Sequence, residues 1–181
     1  MKSSVRQNIE IKARCRNLPL AKQRAMELGA EPRGTLNQID TYLNVGFGRL
    51  KLRTSDGAPA ELIFYDREDR AQPRASNYRR VPVSDPVALL DLLAAALGTH
   101  ISVRKTRELL SWKTVRFHLD TVEHLGTFVE LEAVVGPDAD PDESRRRLDR
   151  VLAVLRIEPR DLIAASYADL LSRQSDAHKP L

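Results

Sequence analysis

Strict alternation of charged and aliphatic residues, in segments far apart along the chain, constrains this fold more than any other feature. Asn8, Glu10 and Lys12 alternate with Ile9 and Ile11 near the start, and Glu130 and Glu132 alternate with Val129, Leu131 and Ala133 much later. Between them, Arg49, Lys51 and Arg53 alternate with Leu50 and Leu52, and Lys105 and Arg107 repeat the spacing. A strand sends successive side chains to opposite faces, so each segment has one apolar and one charged face. A helix would scatter the same residues around its circumference.

Turn and cap signals divide the chain into eight strands and four helices. The expected strands are 5–15, 33–45, 49–54, 60–67, 77–83, 101–110, 115–122 and 127–135. Gly46-Phe47-Gly48, Ser55-Asp56-Gly57 and His124-Leu125-Gly126 supply turns between neighbours. Pro19 opens a helix that Gly29 closes, and Asp85-Pro86 opens one that Gly98 closes. Asp140-Pro141 starts a basic helix to Arg156, and Pro159 starts a last helix to about Arg173. No repeat of solenoid length or interior linker splits the chain. The expected organisation is one domain over 1–174 and a disordered polar tail over 175–181.

Strands arriving mostly as hairpins imply an antiparallel sheet. Ile9, Ile11, Leu50, Leu52, Val81, Val83, Phe117, Leu119, Val129 and Leu131 form a face for helices to cover. The other face carries Glu10, Lys12, Lys51, Arg53, Arg67, Arg80, Lys105, Arg107, Arg116, Asp120, Glu130 and Glu132. An open sheet would leave these charges in water. A closed sheet would turn them into a wet, charged lumen. The expected fold is therefore α+β: a closed eight-stranded antiparallel β-barrel, or tunnel, with a charged lumen and helices packed outside.

Charge and composition limit what such a lumen serves. Lys plus Arg is 29 against 25 for Asp plus Glu, a net charge of +4 and a pI near 9.4. This mild excess suits an anionic small molecule, and an aromatic content of 5% argues against a base-stacking nucleic-acid surface. Arg145-Arg146-Arg147 fits a solvated helix face better than a nucleic-acid site. Cys15 is the sole cysteine, which fits a reducing compartment. No apolar run follows Met1, and the most apolar stretch, Val87 to Leu97, is shorter than a membrane span needs. These features predict a cytoplasmic protein with no membrane or nucleic-acid partner; a homodimer is left open.

Any one charged strand face is explained by cross-strand salt bridges at a solvated surface. The joint pattern asks for more. Glu130 and Glu132 are neighbours on one face with no basic residue beside them in their strand, and a divalent cation would relieve their repulsion. Oxygen ligands suit magnesium or manganese. Glu10 and Asp120 stand on the matching faces of their strands. Concentrated cations in a confined space, with Arg as a bidentate phosphate ligand and Lys as a point charge, call for a highly charged anion. There is no Walker-type loop. His118 shares the inward parity of Asp120, whereas the four histidines show no metal-site spacing. The contrasting reading of the same cations is a non-enzymatic anion- or RNA-binding module.

In order along the chain, Ile9-Glu10-Ile11-Lys12, Lys51-Leu52-Arg53, Lys105-Thr106-Arg107, Leu119-Asp120 with Leu125-Gly126, and Glu130-Leu131-Glu132 resemble the CYTH, or triphosphate tunnel metalloenzyme, family. The likeness is nearest to its class IV adenylyl cyclase group and covers about Val5 to Ser172. It implies an eight-stranded tunnel that uses magnesium or manganese to convert ATP to cyclic AMP and pyrophosphate. The alternative it implies is a triphosphatase acting on inorganic, nucleoside or thiamine triphosphate. It also implies metal ligation by Glu10, Asp120, Glu130 and Glu132, catalytic roles for Lys12, Lys105 and Arg107, and triphosphate binding by Lys51, Arg53, Arg67 and Arg80. Two positions depart from the family pattern. Asn8 stands where a further glutamate is usual, and Tyr65 where a lysine is usual; Arg67, two residues on and of the same parity, is the substitute on offer.

Overall fold

A computed structural model describes residues 6–66, 72, 74–135 and 140–177 of the chain. Its strands are β1 (Arg6–Arg14), β2 (Glu31–Leu43), β3 (Arg49–Ser55), β4 (Ala58–Asp66), β5 (Arg74–Val83), β6 (Thr99–Trp112), β7 (Val115–Val122) and β8 (Gly126–Val135). They close into an antiparallel barrel in the order β1-β5-β4-β3-β2-β6-β7-β8. Closure is made by β1, which pairs Glu10 with Glu132 of β8 on one side and Asn8 with Ser76 of β5 on the other. The expected closed barrel is thus the fold, and the alternating charged face points inward.

Four helices lie outside: α1 (Leu18–Glu27), α2 (Pro86–Leu97), α3 (Pro141–Leu155) and α4 (Tyr167–Ala177). Asn17, Asp85 and Asp140 cap the first three by accepting from backbone N–H groups of the first turn. The outward faces of β1, β7 and β8 offer Ile11, Phe117, Val129 and Leu131, on which Ala21 and Ala25 of α1 and Leu148 and Val151 of α3 complete a core. A second cluster closes one end of the barrel, where Tyr167 and Ala168 of α4 pack on Tyr42, Val103, Val122 and Phe128.

The last helix differs from expectation. Pro159–Asp161 makes only a 3-10 turn, and the chain then runs extended because Leu162 bridges to Ala13 and the Ile163 N–H donates to the Lys12 carbonyl at 2.8 Å. The helix restarts where Ser166 and Asp169 cap each other: Asp169 N–H donates to Ser166 Oγ at 3.1 Å, and Ser166 N–H to Asp169 Oδ2 at 2.8 Å. This break lets α4 turn across the barrel end. Helix α4 continues to Ala177, into the stretch expected to be a tail, and residues 178–181 lie outside the described ones. The helix cover is also less complete than expected. Val81 is exposed, and α2, lying against β2 and β3, buries none of its own residues fully.

Phe117 and Leu131 are 0% exposed between barrel and helices. Phe117→Ala should cost about 3–5 kcal/mol of unfolding free energy, read from urea denaturation, because the closed ring of strands cannot collapse into the cavity.

Candidate active site in the tunnel

Charged residues fill the middle of the lumen, and they sort onto opposite walls. Four strand positions separate β2 from β1 in a ring of eight. On the β2 side, Asp40 is the centre of a cationic cluster. Arg53 donates to its carboxylate from Nε at 2.6 Å and Nη2 at 2.8 Å, Lys105 Nζ at 2.7 Å and Lys51 Nζ at 2.9 Å. The register explains the meeting: Asp40 lies opposite Arg53 on β3, and its β2 neighbour Gln38 lies opposite Lys105 on β6.

On the β1 and β8 side, Glu10, Glu130 and Glu132 offer carboxylate oxygens within 4.8 Å of one another. Lys12 Nζ stands 3.7 Å from Glu130 and 3.8 Å from the centre of the Tyr167 ring. His118 Nδ1 is 3.9 Å from both Glu130 and Glu132, too far for a hydrogen bond, and has no other partner among the described residues. Asn8 donates to Glu132 at 3.3 Å and leaves its buried Oδ1 without a partner there.

Arg107 links the walls. Its Nε and Nη2 each donate to Asp120 at 2.6 Å, and Nη2 also donates to Glu130 at 2.8 Å. Asp120 accepts a further bond from the Tyr167 hydroxyl at 2.8 Å and is fully buried. Its two oxygens are therefore occupied by Arg107 and Tyr167, and the acidic group that gathers around one point is Glu10, Glu130 and Glu132.

Burial and pairing set the protonation states. Burial alone pushes the Asp40 carboxyl up, but Arg53, Lys105 and Lys51 outweigh it and hold it well below the usual carboxylate range. Burial raises Glu130 as well, and Lys12, His118 and Arg107 reverse that to a strongly lowered value. The lysines move the other way. Burial, with Arg53 and Arg107 adding and Asp40 opposing, brings Lys105 down to about 7. Burial and Arg53 bring Lys51 down to about 8 against the pull of Asp40.

The predicted residues largely meet. Glu10, Lys12, Lys51, Arg53, Arg80, Lys105, Arg107, Arg116, Glu130 and Glu132 all line one cavity of about 560 Å³, together with His118. Arg80 sits towards the mouth, 3.4 Å from Glu61. Arg67 lies outside the described residues. Tyr65 is in the lumen, its hydroxyl 3.3 Å from that of Tyr42, where Lys51 stands over both rings. Asp40 and Tyr42 were not singled out from the sequence, although Gln38-Ile39-Asp40-Thr41-Tyr42 carries the same alternation as β1.

The family model described as CYTH domain matches residues 6–167. No curated protein matches the chain. Among solved structures it is similar to a Pyrococcus horikoshii protein with TM-score 0.80, at 23% identity over 90% of this chain and 98% of that one. A conserved hypothetical protein from Pyrococcus furiosus gives TM-score 0.79 at 19% identity, over 90% and 99%. A candidate adenylate cyclase from Vibrio parahaemolyticus gives 0.74 at 18%, over 93% and 99%. At these identities the likeness shows the fold.

The lowered lysines predict opposite pH trends for ligand and protein. Unfolded lysine titrates near 10.4, so between pH 7 and 10 the unfolded chain binds more protons, and these two groups make ligand-free stability rise with pH. Affinity for tripolyphosphate without metal should fall over pH 7–9, by up to about tenfold per pH unit where a protonated lysine is required. Calorimetric titration beside urea unfolding at each pH checks both signs.

Proposed function

The chain belongs to the CYTH domain family, and from that premise we propose that its tunnel is a metal-dependent triphosphate site that cyclises ATP to cyclic AMP and pyrophosphate. The observation that carries this reading is the facing of two walls in one lumen: the cations around Asp40 opposite the carboxylates of Glu10, Glu130 and Glu132. A linear anion with several phosphates fits between such walls; a single phosphate would leave most of the cations unused.

The donors on the carboxylate wall fit a hard divalent cation. Three oxygen ligands converge there, and the buried Asn8 Oδ1 beside them lacks a partner among the described residues. Glu10, Glu130 and Glu132 would hold magnesium or manganese. Asp120, expected beside them as a ligand, accepts from Arg107 and Tyr167, and in this reading it positions Arg107. When bound, the ion supplies Lewis-acid stabilisation and lowers the pKa of an attacking hydroxyl.

The remaining roles belong to side chains. Lys51, Arg53 and Lys105 bind the phosphates, with Arg80 nearer the mouth. Lys12 and Arg107, each beside Glu130, take the reacting phosphate between the walls. In cyclisation the ribose 3′-hydroxyl loses its proton to solvent as its oxygen bonds to the α-phosphorus, the bond to the α–β bridging oxygen breaks, and pyrophosphate departs with the added charge. Preorganised cations held by buried carboxylates stabilise that charge without reorienting. Lys105 Nζ, brought down to about 7, and Lys51 Nζ, brought down to about 8, are lumen groups able to exchange a proton near neutrality.

Purified protein incubated with ATP, tripolyphosphate or thiamine triphosphate, with manganese or magnesium, should yield cyclic AMP and pyrophosphate from ATP. Orthophosphate with no cyclic AMP would assign a triphosphatase instead. Chelation should abolish turnover. Glu132→Gln should abolish it too, with weaker metal binding and little loss of stability. Lys105→Ala should cost about 1.5–3 kcal/mol in triphosphate binding.

A further inference from the structure

His118 of β7 is 5% exposed and lines the lumen, yet its Nδ1 has no hydrogen-bond partner among the described residues. The strand register leaves this side chain few places to turn. Its neighbour across β6 is Leu109, which has no acceptor to offer, and its neighbour across β8 is Glu130. Nδ1 accordingly faces the acidic group, 3.9 Å from Glu130 Oε2 and 3.9 Å from Glu132 Oε1. It is shielded from solvent and turned to these two carboxylates. A buried nitrogen left without a partner is costly unless something completes it.

The separation separates two roles. A histidinium serving as an ion-pair partner closes to about 2.7–2.9 Å of a carboxylate oxygen, and 3.9 Å is too long for that. Two donors on one divalent ion, each about 2.0–2.2 Å from it, stand about 3 to 4.4 Å apart. The Nδ1 distances to Glu130 and Glu132 have this second spacing. Glu10, Glu130 and Glu132 gather their oxygens within 4.8 Å, so Nδ1 faces two of the three carboxylates already grouped there. A neutral nitrogen adds a donor to that group without adding repulsion among carboxylates.

We propose that His118 Nδ1 is a nitrogen ligand in the metal site of this lumen, joining Glu10, Glu130 and Glu132, and that it makes the site prefer manganese to magnesium. The inference rests on the metal-dependent reading above and narrows the choice of ion. For Nδ1 to give its lone pair, the ring carries its hydrogen on Nε2. Magnesium is an oxygen-seeking ion that takes nitrogen poorly, whereas first-row transition ions accept imidazole and carboxylate together. Carboxylates alone do little to separate the two ions; the imidazole does. A lone histidine among carboxylates has no spacing signature in the sequence, so the donor set becomes visible only once β7 and β8 are paired.

Calorimetry with manganese and with magnesium, no triphosphate present, reads the preference on wild type and His118→Leu. Pulsed electron paramagnetic resonance of one manganese ion per chain reads the ligand. Wild type should favour manganese about tenfold or more, with a nitrogen coupling that changes when the histidines carry nitrogen-15. His118→Leu should lose that coupling and about tenfold in manganese affinity, at least what losing a mere support of a ligand costs. Its magnesium affinity should change less than about threefold. Equal losses for both ions, an unchanged preference, or manganese bound by wild type without a histidine coupling would overturn the nitrogen ligand and leave the metal-dependent reading intact. The wild-type spectrum decides even if the variant folds poorly. If wild type binds neither ion, both readings fall.

Discussion

Closure of the ring through β1 is the constraint on which the rest depends. Once β1 pairs with β5 and β8 the ring of described strands is closed, and the inward side chains of its middle, such as Lys12, Asp40, Lys105 and Arg107, share a space that excludes most bulk water. Charges placed there lose hydration worth several kcal/mol each, so they must find partners across the lumen. The pairings follow: Asp40 with three cations, Arg107 with Asp120 and Glu130, Lys12 with Glu130. A buried ion cluster of this kind is weak as a source of stability, since well-packed apolar residues would serve at least as well. Its justification lies in what it can bind.

The barrel was legible because the alternation is strict where one face must meet helices and the other must meet charge. On β1, β3, β7 and β8 the apolar partners are Ile11, Leu52, Phe117 and Leu131, all buried, so parity alone assigns the lumen residues. Strand β2 hides its role. Its outward neighbours Ile39 and Thr41 are only partly covered, and Asp40 acquires meaning from Lys51 and Lys105, 11 and 65 residues away. The same non-locality explains Asp120. Its inward parity was readable, but the Arg107 and Tyr167 that occupy its oxygens come from another strand and from α4. The broken last helix follows too: 162–163 keep helical spacing of apolar residues, yet a backbone pairing with β1 wins. Where Val81 was expected under a helix, α1 and α3 instead pack over β1, β7 and β8, and α2 lies against β2 and β3.

The lumen has three zones along its axis, each set by two-residue steps of the strands. Aromatic and aliphatic residues under α4 close one end, paired charges fill the middle, and at the end open to solvent the charges of β2, β3 and β6 give way to Leu36, Ser55 and Leu109. A barrel of eight strands is wide enough to hold one small ligand among its side chains. Zoning of this sort orients a ligand whose own ends differ, because each end loses its solvation in the zone that can replace it.

Asp40 gives the middle zone its particular balance. It pins Arg53 through two bonds and fixes both lysines, so the cations are in place before a ligand arrives and little side-chain entropy remains to be lost on binding. It also means that an incoming phosphate meets cations that already have an acceptor. Each new contact gains only the difference between phosphate and what it displaces, so a ligand with a single phosphate has little to gain. A triphosphate multiplies that difference over several oxygens while spending its translational freedom once. The carboxylate that looks misplaced in an anion site therefore favours length and charge in the ligand over charge alone.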